Sequence, residues 1–149
     1  MANLRVPPDF KEFLKLLNAH GVEYLLVGGY AVAFHGYPRA TADLDVWIAR
    51  HPANAQRPVD ALVEFGFSLP DLTPSLFMQE GRIVRMGNPP VRIEIATGIS
   101  GVTFESCYGS RIVDTLDGVE VGVISIDDLK TNKRAAGRFR DLDDLENLP

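Results

Sequence analysis

The segment running from residue 22 to residue 45 restricts this chain more than any other part of its sequence. Residues 22–27 form a short apolar run rich in β-formers, which reads as a buried strand, and it stops at Gly28-Gly29. Residues 30–35 then read as a short helix closed by Gly36 and Pro38. A strand that passes through a glycine turn into a helix leaves backbone N–H groups free at the positive end of the helix dipole. The missing side chains at Gly28 and Gly29 let a phosphate come close. The spacing is not the Gly-x-Gly-x-x-Gly of dinucleotide-binding units, and no P-loop is present. A second strand is expected over residues 44–49, entered through Asp43. Side chains alternate along a strand, so Asp43 and Asp45 project to one side while Leu44 and Val46 turn into the core. Two carboxylates held together repel, and a hard divalent cation such as Mg²⁺ or Mn²⁺ relieves that repulsion.

The remaining elements are placed by periodicity. Phe10, Phe13, Leu14, Leu16 and Leu17 predict a helix over residues 9–20, stopped by Gly21, and a further helix is expected over 53–65, stopped by Gly66. Residues 82–85 and 91–95 flank a turn at Gly87-Asn88-Pro89-Pro90 and predict an antiparallel pair, and residues 111–113 and 119–121 predict a second hairpin. Ser125-Ile126-Asp127-Asp128 has the form of a helix start with acidic residues in the first turn, and Gly137 divides the helical region that follows. With no repeat, low-complexity tract or linker, the expectation is one domain over residues 1–149, of class α/β (α+β).

Composition excludes several classes of function. The chain has 149 residues, 46% of them hydrophobic and 23% charged, enough for a core but with no apolar stretch long enough for a bilayer. Residues 1–8 lack the order of a secretory leader, so a cytoplasmic protein without membrane attachment is expected. Cys107 stands alone and reads as a small buried hydrophobe. The net charge of −5 argues against a surface that is basic throughout. Lys130, Lys133, Arg134, Arg138 and Arg140 nevertheless cluster just before the acidic run Asp141, Asp143, Asp144 and Glu146. Taken alone, such a charge run reads as a solvated helical surface with offsetting charges.

Taken in order, Gly28-Gly29-Tyr30-Ala31, His35-Gly36 and Arg39-x-Thr41-x-Asp43-Leu44-Asp45 resemble the signature of the DNA polymerase beta-type nucleotidyltransferase superfamily. Within it the sequence is most similar to small bacterial and archaeal proteins related to abortive-infection toxin nucleotidyltransferases. The resemblance continues through Ile93-Glu94-Ile95 and through the C-terminal block that holds Lys133, Arg138, Asp141 and Asp144. It implies a nucleotidyltransferase-like mixed β-sheet flanked by helices, with Gly28 and Gly29 at the triphosphate. It further implies Asp43, Asp45 and Glu94 as catalytic metal ligands, with Arg39, Thr41, Lys133 and Arg138 as candidate phosphate-binding residues.

Alternatives stand beside each role. By chain order Glu94 takes the place of a third carboxylate, where the superfamily usually has Asp; the other reading is an exposed strand residue between two core isoleucines. Glu105 is the next carboxylate by order. Arg39 and Thr41 either touch phosphate or order the loop before Asp43, the latter being favoured. His35 stands where members of the resembled family often carry histidine, and the favoured reading is the end of a short helix. Lys133 and Arg138 either reach phosphate or pair with Asp141 and Asp144.

The implied activity is metal-dependent transfer of a nucleoside monophosphate from a nucleoside triphosphate to an acceptor, RNA or protein, in a toxin-type setting with an antitoxin-like partner. Larger superfamily members add a helical domain, whose place a partner or a homodimer would take here. The competing expectation is a non-catalytic nucleotide-binding or protein-interaction module of the same fold. The presence of both Asp43 and Asp45 favours the enzyme.

Overall fold

A computed structural model describes residues 4–149; Met1 to Asn3, the start of the segment read for a leader, lie outside the described residues. The chain runs α1 (Pro8–Ala19), β1 (Tyr24–Val27), α2 (Gly28–Phe34), β2 (Asp43–Ile48) and α3 (Pro52–Phe65). A 3-10 turn (Pro74–Met78), β3 (Ile83–Asn88), β4 (Val91–Ala96) and α4 (Phe104–Gly109) follow. Last come β5 (Ile112–Leu116), β6 (Val119–Val123), α5 (Ile126–Ala136) and α6 (Phe139–Asn147). The six strands make one mixed sheet in the order β3-β4-β2-β1-β6-β5. Its outer pairs, β3/β4 and β5/β6, are the two hairpins, and β1 pairs antiparallel with β2. β2 pairs parallel with β4, and β1 with β6. This is the mixed sheet with flanking helices expected from the sequence.

Apolar periodicity accounts for the layers. Phe10, Phe13, Leu14 and Leu17 form the buried stripe of α1, and α1 packs against α3 and β6. Phe13 meets Phe65 of α3 edge to face at 5.4 Å, and Phe10 meets Tyr30 of α2 at 5.9 Å. Each such side chain contributes about 1.5–3 kcal/mol when fully withdrawn from water. β1 is buried on both faces, which explains why residues 24–27 read as an unbroken apolar run. β2 alternates instead: Leu44 and Val46 are buried, Asp43 and Asp45 are half-buried, and the strand closes on buried Trp47 and Ile48.

Two short elements, the 3-10 turn and α4, were not expected, because neither is long enough to show a period. Gly28-Gly29 also differs from the expectation. It is the first turn of α2 itself, with Gly28 at φ +67°. The C-terminal break falls as expected: Ser125 Oγ accepts from the Asp128 N–H at 3.2 Å to start α5, and Gly137 closes it in the left-handed region. Among the described residues no helix is long and apolar enough to cross a membrane.

Candidate active site

The parallel pairing of β2 with β4 does what chain order alone cannot. It sets Asp45 opposite Glu94 and Asp43 opposite Arg92, on the sheet face away from Leu44, Ile93 and Ile95. β3 adds Arg85 opposite Glu94. These side chains floor a cleft of about 980 Å³ whose walls are Gly28 and Gly29 on one side and α5 and the start of α6 on another. Glu94 lies between buried Ile93 and Ile95, as the second reading expects, but is itself half-buried and on the cleft floor. Its carboxylate is mostly withdrawn from solvent and accepts from Arg85 Nε at 2.6 Å.

Gly28 exists for Asp45. A β-carbon there would lie 2.7 Å from Asp45 Cγ, and φ +67° is strained for any L side chain. Gly28→Ala is therefore expected to cost at least about 1–2 kcal/mol, seen as a lowered Tm, and to push the Asp45 carboxylate aside. Gly29 is buried, and a β-carbon on it would meet Thr41 Oγ1 at 2.6 Å. Its smallness serves packing against the loop before β2, rather than open space for a phosphate as anticipated. A larger residue at Gly29 would strike the fold directly.

Electrostatics at the floor are dominated by crowded carboxyls. Burial, then a hydrogen bond and charge repulsion from Glu94 and the charge of Asp43, push the Asp45 carboxyl up to about 8. Burial also acts to raise Glu94, but its hydrogen bonds with Asp45 and Arg85 outweigh that and hold it below the usual carboxylate range. Of the two, Asp45 is the one whose protonated form is favoured, and Glu94 the one whose charge is favoured. Asp43 is held apart from them by a bidentate bond from Arg92, Nε to Oδ1 and Nη2 to Oδ2, both 2.9 Å.

The donor set is hard oxygen, and the crowded Asp45–Glu94 pair has one cation, Arg85, bonded to it at Glu94. Both features fit a divalent cation. The three carboxylates do not converge as they stand: among the described residues no group of three His, Cys, Asp or Glu side chains is gathered closely enough to hold an ion. Asp43 is bonded to Arg92 instead.

A stability change with pH follows. Between the ordinary Asp value of 3.8 and about 8, folded Asp45 keeps a proton that the unfolded chain has released. The unfolded state then binds fewer protons, so this contribution falls as pH rises through that window. Glu94 acts oppositely, its contribution being lost only in acid. Through this contribution Tm is expected to decline as pH rises toward 8, with added Mn²⁺ restoring more at the upper end than at the lower.

Arg39, Thr41, Lys133 and Arg138 line the same cleft but are tied to the loop before β2 and to α6. Asp141 and Asp144 of α6 are fully buried, and the Lys133 ammonium lies between them at 3.1 and 3.0 Å, only 4% exposed. Arg39 grips Asp144 with two bonds, Nε to Oδ1 at 2.7 Å and Nη2 to Oδ2 at 3.0 Å. Thr41 Oγ1 donates to the Asp43 carbonyl at 3.2 Å. Arg39 and Thr41 thus take the loop-ordering geometry, and Lys133 takes the ion-pair alternative. Arg138 pairs with Asp141 through Nε to Oδ2 at 2.7 Å and Nη2 to Oδ1 at 3.3 Å, and its side chain is 65% exposed at the cleft wall. His35 Nε2 contacts the Ile124 carbonyl at 2.6 Å and ends α2. Glu105 lies in the exposed first turn of α4, off the cleft floor. Cys107 is buried, and burial pushes its thiol up to about 12.

Arg85, Arg92 and Arg140 also line the cleft and were not anticipated. Arg92 was legible in principle, because residues i and i+2 of a strand share a face and Glu94 was already assigned inward.

Comparison with known proteins bears on the fold. No family model matches the chain, and no curated relative matches it. Among solved structures the chain is similar to a "putative nucleotidyltransferase" from Thermotoga maritima, at a TM-score of 0.64 and 14% identity over 97% of this chain and 94% of that one. The chain has a nucleotidyltransferase-like fold.

Proposed function

We propose that the cleft binds a nucleoside triphosphate with divalent cations and transfers its nucleoside monophosphate to an acceptor hydroxyl. The observation that carries this reading is the in-register placement of Asp45 and Glu94, with Asp43 two residues away on the same face, beside the glycine-led start of α2. Mg²⁺ or Mn²⁺ bound at Asp43, Asp45 and Glu94 would neutralise charge on the phosphates. Arg92, on leaving Asp43, is placed to take a phosphate bidentately, and Arg138, bonded to Asp141 through Nε and Nη2, lines the same cleft. Glu94, the ionised carboxylate, accepts the proton of the acceptor hydroxyl. The new bond forms between the acceptor oxygen and the α-phosphorus, the bond to the β-phosphate bridge breaks in line, and pyrophosphate leaves. Arg39, Thr41 and Lys133 act by holding the loop before β2 in place.

Isothermal calorimetry tests the site. The parent should bind Mn²⁺ with nucleoside triphosphate, and Asp43→Ala/Asp45→Ala should lose that binding; equal binding by both proteins would remove these residues from the site. One observation favours a second reading, a nucleotide-binding module without turnover: the bidentate Arg92–Asp43 bond occupies a carboxylate that the metal needs. Labelled triphosphate bound tightly, with no pyrophosphate released in the presence of cell extract, would select the module.

A further inference from the structure

Arg92 and Asp43 face each other across the parallel β2/β4 pair, and the guanidinium takes both oxygens of the carboxylate at 2.9 Å each. A carboxylate clamped in this way spends its charge on the arginine. The backbone on either side is fixed. The strand ladder holds Arg92 opposite Asp43, and Thr41 Oγ1 donates to the Asp43 carbonyl. Opening the clamp is therefore a rearrangement of side chains, and Arg92 is the longer and more exposed partner, 37% against 21%.

Arg39 makes the same two-bond clamp on Asp144, with a different consequence. That carboxylate is fully buried and shared with Lys133, so opening the clamp would strand charge inside the protein. The Arg92 clamp opens onto the cleft, which both of its residues line.

A released Arg92 has nowhere else to go among the carboxylates of the floor. Glu94 is already held by Arg85 at 2.6 Å, and Asp45 is the carboxylate that an ion at Asp43 would share. A divalent cation arriving alone would thus break two charge-assisted bonds and leave an unpaired guanidinium beside itself, which repels it. A polyphosphate reverses the balance, because its oxygens offer the guanidinium a bidentate partner as Asp43 turns to the ion.

We propose that Arg92 gates the metal: it withholds Asp43 from free divalent cations and yields it when the phosphates of a triphosphate take the guanidinium. The ion and the triphosphate are those of the transfer reading, on which this coupling rests; their dependence on one another is additional. It also accounts for the occupied carboxylate that otherwise favours a module without turnover. By linkage the coupling is reciprocal, so Asp43 should likewise withhold Arg92 from phosphate when no metal is present.

Two titrations on the whole chain test the gate, each with one ligand only. In the first, Mn²⁺ is added without nucleotide and free Mn²⁺ is read by electron paramagnetic resonance. Arg92→Ala should bind Mn²⁺ roughly 10- to 150-fold more tightly than the parent, the factor for removing a competing bond between charged groups. Arg92→Lys keeps the charge but not the two-pronged bond, and should lie nearer to Arg92→Ala than to the parent. Arg140→Ala removes another cation that lines the cleft and should change the affinity far less. In the second, inorganic tripolyphosphate is titrated by calorimetry in the presence of EDTA. Asp43→Ala should strengthen its binding, and the gain should largely vanish when Arg92→Ala is already present.

Arg92→Ala within about twofold of the parent for Mn²⁺ would overturn the gate. So would Arg92→Lys matching the parent, or Arg140→Ala matching Arg92→Ala, since either reduces the effect to the general field of a nearby cation. An equal gain from Asp43→Ala with and without Arg92 would do the same. The two readings fail separately. Binding of Mn²⁺ with triphosphate that needs Asp43 and Asp45 but ignores Arg92 in both titrations defeats the gate alone; the expected Arg92 effects without any pyrophosphate release defeat the transfer alone.

Discussion

Asp144→Ala is expected to lower the unfolding free energy by about 3–5 kcal/mol, the usual cost of removing one partner from a buried ion pair. Two cations depend on that carboxylate. Arg39 loses both of its bonds to it, and Lys133, at 4% exposure, keeps only Asp141. For a chain of this size the corresponding fall in Tm is roughly 10 °C. The damage should reach the site, because Arg39 and Thr41 belong to the loop that delivers Asp43, and Tyr37 on the same loop bonds to Asp143 of α6 at 3.0 Å. Asp144→Asn keeps the shape but not the charge, so its cost should be smaller. The sign of the pH effect can be stated. Burial acts to raise Asp144, but hydrogen bonds from Arg39 and Lys133 outweigh it and hold the carboxyl below its ordinary range. Its contribution is therefore complete above the ordinary Asp range and disappears as pH falls through the lowered value. Parent and Asp144→Ala should differ fully at pH 7 and converge in strong acid. A Tm difference at pH 7 of no more than a degree or two would refute the bracing role.

Some of this was legible from residues alone, and the limits are physical. Asp43 and Asp45 could be put on one face because Leu44 and Val46 demand the other. Glu94 could be nominated only by order, since nothing local announces that β4 lies parallel to β2 with Glu94 opposite Asp45. The glycine pair pointed to the right turn but not to what each glycine faces, Asp45 for Gly28 and Thr41 for Gly29, because those neighbours arrive through tertiary packing.

α6 was the hardest element to read. Its polarity is inverted: Asp141 and Asp144 are buried at i, i+3 spacing while Phe139 and Leu142 face water. Periodicity arguments assume that apolar residues turn inward. A helix whose inward face is satisfied by Lys133, Arg39 and Arg138 defeats that assumption. The acidic run after Arg140 accordingly reads in sequence as solvated, and only half of it is.

Glu94→Gln is expected to reduce transfer by roughly 10²–10⁴-fold, the range for loss of a positioned general base. Binding of metal and triphosphate should be changed far less, because Asp43 and Asp45 retain their carboxylates and the glycine-led turn is untouched. The structure adds a readout that needs no turnover. In the parent, Asp45 is pushed up by burial first and then by its hydrogen bond and repulsion with Glu94. An uncharged residue 94 removes the repulsion, so Asp45 should ionise at lower pH, and the decline of Tm with rising pH should be smaller and end short of pH 8. Glu94→Asp shortens the reach by one methylene and restores the carboxylate more usual in the superfamily that the sequence resembles; appreciable transfer should return with it. A residue that merely occupied the strand would behave otherwise, with transfer unaffected by either substitution. Measuring triphosphate affinity, pyrophosphate release and Tm against pH on these three proteins separates the cases. Full transfer by Glu94→Gln would exclude Glu94 as the base, whatever its effect on Asp45.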